Sequence, residues 1–205
     1  MRQLVYERIA RMGEEGCGYV TTGQLLAEGV TNRQIALLTE EGYLERIANG
    51  RFWMPRSGKK KPADYRAVEA AFVNPEVIIC ADSALYLNGY VKKAPEVLSI
   101  ATRRNDRHQM KFPFEVTRHY YAEKTFTDNS HTVTTAFGEY QVYDNPRSIC
   151  DLIRFRETVD PDVFEQAVTR YRRERKDFDK MMEYARAMRA EARVLDVIGK
   201  PDRRR

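Results

Sequence analysis

The chain has 205 residues, 35 Lys and Arg against 30 Asp and Glu for a formal charge of +5, 42% hydrophobic residues, 9 Phe and 12 Tyr. That composition excludes a disordered polar chain, and no run approaches the roughly 18 uninterrupted apolar residues that a membrane span needs. Cys17, Cys80 and Cys150 are an odd number at wide spacing and imply no disulfide framework, and Glu7 stands where a signal peptide would be apolar, so a soluble, cytoplasmic protein without membrane association is expected.

Leu4, Val5, Ile9 and Met12 recur at helical spacing and Gly13 stops the run. A short extended piece, Tyr19-Val20, follows, and Thr22 is placed to cap a brief helix carrying Leu25 and Leu26 up to Gly29. Thr31-x-x-Gln34 spells a capping box directly before Ile35-Ala36-Leu37-Leu38, predicting a helix that ends near Gly42. Asn49-Gly50 then separates Tyr43–Ala48 from Arg51–Met54, a hairpin signal for a type I′ turn with positive φ at both positions. This order of helix, strand, helix, turn, helix and hairpin is that of a winged helix-turn-helix.

Arg56–Pro62 lacks apolar residues and combines Gly, Pro and three lysines, so it reads as a linker. The expected organisation is a winged helix-turn-helix over 1–56, a linker over 57–63 and an α+β domain over 64–205. In the latter, Asp64 is placed to cap a helix holding Val68, Ala71 and Phe72. Strands are predicted at 77–80, 97–101 and 112–119, a hairpin at 132–143 about Gly138, and a short helix opened by Asp82 or Ser83. Asn145-Pro146 and Asp160-Pro161 start helices, and two charged amphipathic helices finish the chain. The fold class is therefore α+β, with a mixed second domain that ends in helices.

Charge is unevenly placed. Residues 1–61 hold 10 basic and 7 acidic side chains, 62–168 hold 12 and 16, and 169–205 hold 13 and 7. Two basic ends around an acidic middle suit a polyanion partner. In a helix-turn-helix the second helix presents its N-terminal residues to base edges in the major groove. With Ile35 and Leu38 on the core side, Arg33, Ala36, Leu37 and Glu40 face away at 100° per residue. Arg33 suits guanine, Asn32 and Gln34 suit adenine, and Ala36 or Leu37 a thymine methyl, with Leu37 the better fitted to its own core. Thr31 and the first free backbone N–H groups suit a phosphate. Arg46, Asn49 and Arg51 lie at or beside the hairpin tip, within reach of the backbone or minor groove. Lys59, Lys60 and Lys61, and farther on Lys180, Arg186, Arg189 and Arg193 with the tail Arg203-Arg204-Arg205, are further candidates for phosphate contact. The alternative for the C-terminal group is an ordinary solvated face, with Phe178, Met181, Met182, Ala185, Met188, Ala192 and Leu195 packed on the opposite side. Burial is expected for Trp53.

The stretches Gly18-Tyr19-Val20-Thr21-Thr22, Gly29-Val30-Thr31-Asn32-Arg33, Glu41–Ile47 and Asn49-Gly50-Arg51-Phe52 resemble the N-terminal domain of AbiEi-type antitoxins. The second domain resembles that family more loosely, through the apolar strand before Ser83-Ala84-Leu85-Tyr86 and through Asn145-Pro146-Arg147-Ser148-Ile149-Cys150-Asp151. These antitoxins are the transcriptional regulators of type IV, abortive-infection toxin–antitoxin pairs used in phage defence. The resemblance implies autorepression through a winged helix at inverted repeats in the chain's own promoter. It also implies a C-terminal domain that counteracts a nucleotidyltransferase-like toxin without a stable complex.

Two other readings fit parts of the sequence. One is a winged-helix regulator whose second domain senses a small ligand. The other is a metal nuclease, since Pro161-Asp162 and Glu174-Arg175-Lys176 spell a PD…ExK pattern. A nuclease needs those carboxylates converging from strands onto a divalent cation. The run around Glu174 reads instead as helical, where Glu174 and Lys176 would point about 200° apart. His108, His119 and His131 have no metal-ligand spacing, and Ser83 lacks the Gly-x-Ser-x-Gly elbow of a hydrolase. No catalytic residue, metal ligand or cofactor motif is identified.

Overall fold

The computed structural model describes residues 2–15 and 17–199, so Lys200 and the tail Arg203-Arg204-Arg205 lie outside the described residues. The chain is a mixed α+β protein that divides into two compact units. Unit 1 takes the described residues within 1–75, 109–113 and 134–139, and unit 2 those within 76–108, 114–133 and 140–205.

Unit 1 begins with α1 (Arg2–Glu15), β1 (Tyr19–Thr21), α2 (Thr22–Ala27) and α3 (Asn32–Glu40), followed by β2 (Glu45–Ala48) and β3 (Arg51–Trp53). The three strands are antiparallel in the order β1-β3-β2, with Tyr19 opposite Trp53 and Arg46 opposite Phe52. Val5 and Ile9 of α1 pack with Val20, Leu25, Val30, Ile35, Leu38, Leu44, Phe52 and Met54. Burying a side chain of this kind contributes roughly 1.5–3 kcal/mol, so the apolar spacing of α1 and α3 is enough to bind them to the sheet. Gly18 is required where it stands, because φ is +89° and a Cβ would come within 2.4 Å of the Trp53 ring. Both Phe52 and Trp53 are buried, which removes either from base stacking.

The cap of α2 is Thr21, not Thr22: its hydroxyl accepts from the Gln24 backbone N–H while the Gln24 side chain returns to the Thr21 N–H. Only Thr21 has a Gln three residues on, which decides between the two threonines. The hairpin tip also differs from the type I′ turn, since Gly50 alone has positive φ (+68°) and the register shifts between Arg46 and Ala48. The bulge takes up the twist that a second left-handed residue would otherwise supply.

The helix α4 (Tyr65–Val73), expected to open the second domain, belongs to unit 1. Asp64 occupies its N-cap position without a side-chain hydrogen bond. Glu69 explains the placement. It is fully buried, accepts from the Tyr19 hydroxyl at 2.9 Å and pairs with Lys61 at 2.9 Å, and Lys61 also reaches Glu45 at 3.1 Å. A buried carboxylate is tolerable only with such partners. The chain between β3 and α4 is thereby tied down by Lys61, where a free linker was expected.

Unit 2 is built on β4 (Ile78–Ile79), α5 (Ala81–Leu87), β5 (Leu98–Arg103), β6 (Val116–Tyr121), α6 (Glu123–Phe126), β7 (Ser130–Thr135), β8 (Gly138–Tyr143), α7 (Asn145–Arg154), α8 (Pro161–Glu174), α9 (Phe178–Ala187) and α10 (Glu191–Ile198). The sheet order is β6-β5-β4-β8-β7, with β4 antiparallel to β5 and parallel to β8, and β5 parallel to β6. The third strand starts at Val116 rather than at Phe112. Residues 109–113 and 134–139, from the β5–β6 connection and the β7–β8 tip, are counted with unit 1. Met181, Met182, Tyr184 and Ala185 of α9 are buried with α5, α7, α8 and α10 side chains, and half-buried Phe178, Met188 and Leu195 pack against them. Ala192 of the expected stripe is exposed, and Val194 and Ile198 are the buried residues of α10. The helix α5 starts after Cys80, with Asp82 and Ser83 in its first turn rather than at its cap.

Candidate nucleic-acid interface

The start of α3 is fixed from several sides. Thr31 and Gln34 form the capping box: the Thr31 hydroxyl accepts from the Gln34 N–H at 3.3 Å and the Gln34 carbonyl accepts from the Thr31 N–H at 2.8 Å. The turn before it is pinned from α1, where Arg8 donates to the Glu28 carbonyl at 2.6 Å and Arg11 pairs with the Glu28 carboxylate at 2.9 Å. Gly29 there has φ +77°, a conformation that costs a residue with a Cβ about 1–2 kcal/mol.

Ile35 and Leu38 are buried on the inner side of α3, while Asn32, Arg33, Ala36 and Glu40 are exposed and Leu37 is half-buried. Arg33 has no ion pair or hydrogen bond among the described residues, which leaves its five donors free. Gln34 is different. Its carbonyl oxygen accepts from both the N–H and the hydroxyl of Thr31. The capping box thus occupies the Gln34 carbonyl oxygen, the atom that would accept the adenine amino group, and leaves only the side-chain NH2 to meet a base.

At the hairpin, Arg46, Asn49 and Arg51 are all exposed. The Arg46 guanidinium lies 5.1 Å from the Phe52 ring centroid and that of Arg51 lies 4.9 Å from the Phe72 ring. Such stacking restricts the arginine without using its hydrogen-bond donors. The Thr22 N–H donates to the Gly50 carbonyl at 2.8 Å, fixing the hairpin tip to the start of α2.

The phosphate candidates divide. Lys59 and Lys60 are exposed, whereas Lys61 is half-buried between Glu69 and Glu45 and is a structural cation. In unit 2, Lys180 pairs with Asp144 at 2.6 Å and Arg186 with Glu191 at 3.0 Å, so their charge is already partnered. Arg189 and Arg193 are exposed, and Arg189, just beyond the Met188 C-cap of α9, has a left-handed φ of +54°.

Segment 109–113 adds residues that sequence reasoning missed. Exposed Gln109 and Lys111, with Phe112, join Arg46, Ile47 and Asn49 in lining a groove of about 490 Å³. The signal was present, since Met110–Pro113 is a basic, Pro-ended loop sequence, but Phe112 invited a strand assignment instead.

The residues of the nuclease pattern do not form a cation site. Glu174 ends α8 and accepts from Arg170 at 2.9 Å, and Arg175 turns the chain with φ +45°. Lys176 lies beyond the helix, so the expected angular separation on one helix does not apply to it. Among the described residues no group of three His, Cys, Asp or Glu could hold a metal ion. His108 and His131 are exposed, His108 against Asp106, while His119 is buried and stacked on Phe155 with centroids 3.8 Å apart. No described helix is long and apolar enough to cross a membrane.

No protein-family model matches the chain, and no curated protein matches it. Among solved structures it is similar to the RV2827C protein from Mycobacterium tuberculosis, with a TM-score of 0.69 over 97% of this chain and 78% of that one at 14% identity. At that identity the likeness is one of fold: both chains carry the same α+β architecture.

Proposed function

We propose that unit 1 is a winged helix-turn-helix that binds double-stranded DNA, with α3 as recognition helix and the β2–β3 hairpin as wing. On this reading the chain is a cytoplasmic transcriptional autorepressor of the AbiEi antitoxin type. The observation that carries the DNA reading is the outward face of α3. Asn32, Arg33 and Ala36 project there beside a capped N-terminus, and Ile35 and Leu38 hold the helix from behind. A guanidinium free of protein partners at the second helical position is placed to take guanine O6 and N7. Arg46, Asn49 and Arg51 on the hairpin supply backbone contacts that fix the register.

The antitoxin half rests on the resemblance of both parts of the chain to that family. Its functional partner would be a nucleotidyltransferase-like toxin, counteracted without a stable complex. Two measurements test the pair of claims. An electrophoretic shift with the DNA upstream of the chain's own gene should show saturable binding to an inverted repeat. Co-expression with the neighbouring reading frame should restore growth that the neighbour alone arrests. Equal binding to scrambled DNA would refute the first claim, and growth arrest undiminished by co-expression the second.

A further inference from the structure

We propose that segment 109–113 completes the DNA-binding surface of unit 1, with Lys111 as a phosphate contact and Gln109 as a hydrogen-bonding neighbour. This deepens the DNA reading above and rests on it. The groove that Lys111 and Gln109 share with Arg46 and Asn49 is lined by two cations and two carboxamides, and no carboxylate lines it. A polyanion favours that combination, because the cations are not neutralised by the protein and the amides donate to phosphate oxygens without adding charge.

Position supports the same assignment. Asn49 is at the hairpin tip and Arg46 on the strand leading to it, so the groove runs along the element that a winged helix lays against the DNA backbone. Met110 holds the segment from inside, its sulfur accepting from the Asn74 side chain at 3.8 Å just beyond α4. Ile47 and Phe112 give the groove an apolar floor. Lys111 has no ion pair among the described residues and is exposed, so its ammonium can neutralise a phosphate without first breaking a protein contact. Contacts of this kind add affinity and salt dependence but no base preference.

The test compares full-length wild type with Lys111→Ala, Lys111→Arg and Gln109→Ala. Each is titrated onto the upstream duplex and onto a random-sequence duplex between about 50 and 200 mM salt. Lys111→Ala should reduce the slope of log K against log salt by about 0.9, a loss of about eightfold at 0.1 M relative to 1 M, on both duplexes alike. Lys111→Arg should restore the slope, and Gln109→Ala should weaken binding with the slope unchanged. Because Lys111 is exposed, thermal midpoints of the variants should match wild type. Wild-type binding with a slope that Lys111→Ala leaves intact overturns this inference alone. Absence of wild-type binding to either duplex overturns the DNA reading and this inference with it.

Discussion

The side-chain carbonyl of Gln34 accepts hydrogen bonds from the Thr31 N–H at 2.8 Å and from the Thr31 hydroxyl at 3.0 Å, so the residue next to Arg33 holds the helix start. Removing the cap should act on the helix and only through it on DNA. Thr31→Ala should cost about 1 kcal/mol of stability. Its loss of DNA affinity should be the same on the preferred and on scrambled duplexes. A change of sequence preference in Gln34→Ala, measured by competition binding, would contradict this division of roles.

Lys61 and its neighbours Lys59 and Lys60 should separate cleanly. Lys61 bridges Glu69 and Glu45, and its loss strands a fully buried carboxylate whose second oxygen already lacks a hydrogen bond. Lys61→Ala should therefore destabilise the protein by about 2–4 kcal/mol, seen as a lower urea midpoint. Lys59→Ala and Lys60→Ala should leave that midpoint within about 0.5 kcal/mol of wild type.

Arg147 and Asp151 are both fully buried one turn apart on α7, with Nε and Oδ2 separated by 3.9 Å. The Arg147 guanidinium lies 3.3 Å from the Tyr143 ring centroid and donates to the Asp128 carbonyl, while Arg154 approaches Asp151 at 3.2 Å. Arg147→Met should cost about 3–5 kcal/mol, because Asp151 loses a partner in an interior that cannot hydrate it. Adding Asp151→Leu should recover part of that loss. A double variant less stable than the single one in urea titration would show that the ion pair is not what the interior needs.

His119 sets a pH dependence. Burial first, and the positive charge of Arg154 second, pull its pKa down to about 4. A histidine that resists protonation when folded binds protons more readily when unfolded, so its stabilising contribution is complete above the unfolded value near 6.5 and is lost as pH falls toward 4. Between about pH 7.5 and pH 5 this amounts to roughly 2 kcal/mol of lost stability. Replacing His119 with Phe, which keeps the stack on Phe155, should flatten the urea midpoint over that range. An equal pH slope in wild type and variant would assign the dependence to other groups.

Local signals in the sequence were readable because their physics is local. Thr31-x-x-Gln34, Asn145-Pro146 and Asp160-Pro161 each mark a helix start within a few residues, and all three helices begin there, with Asp144, not singled out from sequence, supplying the cap before Asn145. What escaped depends on distant partners. Glu69 looks like a polar break in the apolar face of α4 until Tyr19 and Lys61 are brought to it. Arg147 and Asp151 carried only a family signature until the aromatic rings of Tyr143 and Tyr184 closed over them. Lys111 is 65 residues beyond Arg46 in the chain, and no period or cap relates the two.

The basic surplus of the chain also takes a narrower meaning. Lys180 and Arg186 are partnered within unit 2 and Lys61 within unit 1, so fewer cations face a polyanion than the charge count implies. Arg33 is the residue on which the DNA reading turns. The direct measurement is the affinity of wild type and Arg33→Ala for the upstream inverted repeat and for its single-base variants. The account predicts a loss of about 1–3 kcal/mol and relaxed preference at one base pair per half-site. Unchanged affinity with unchanged preference would contradict it.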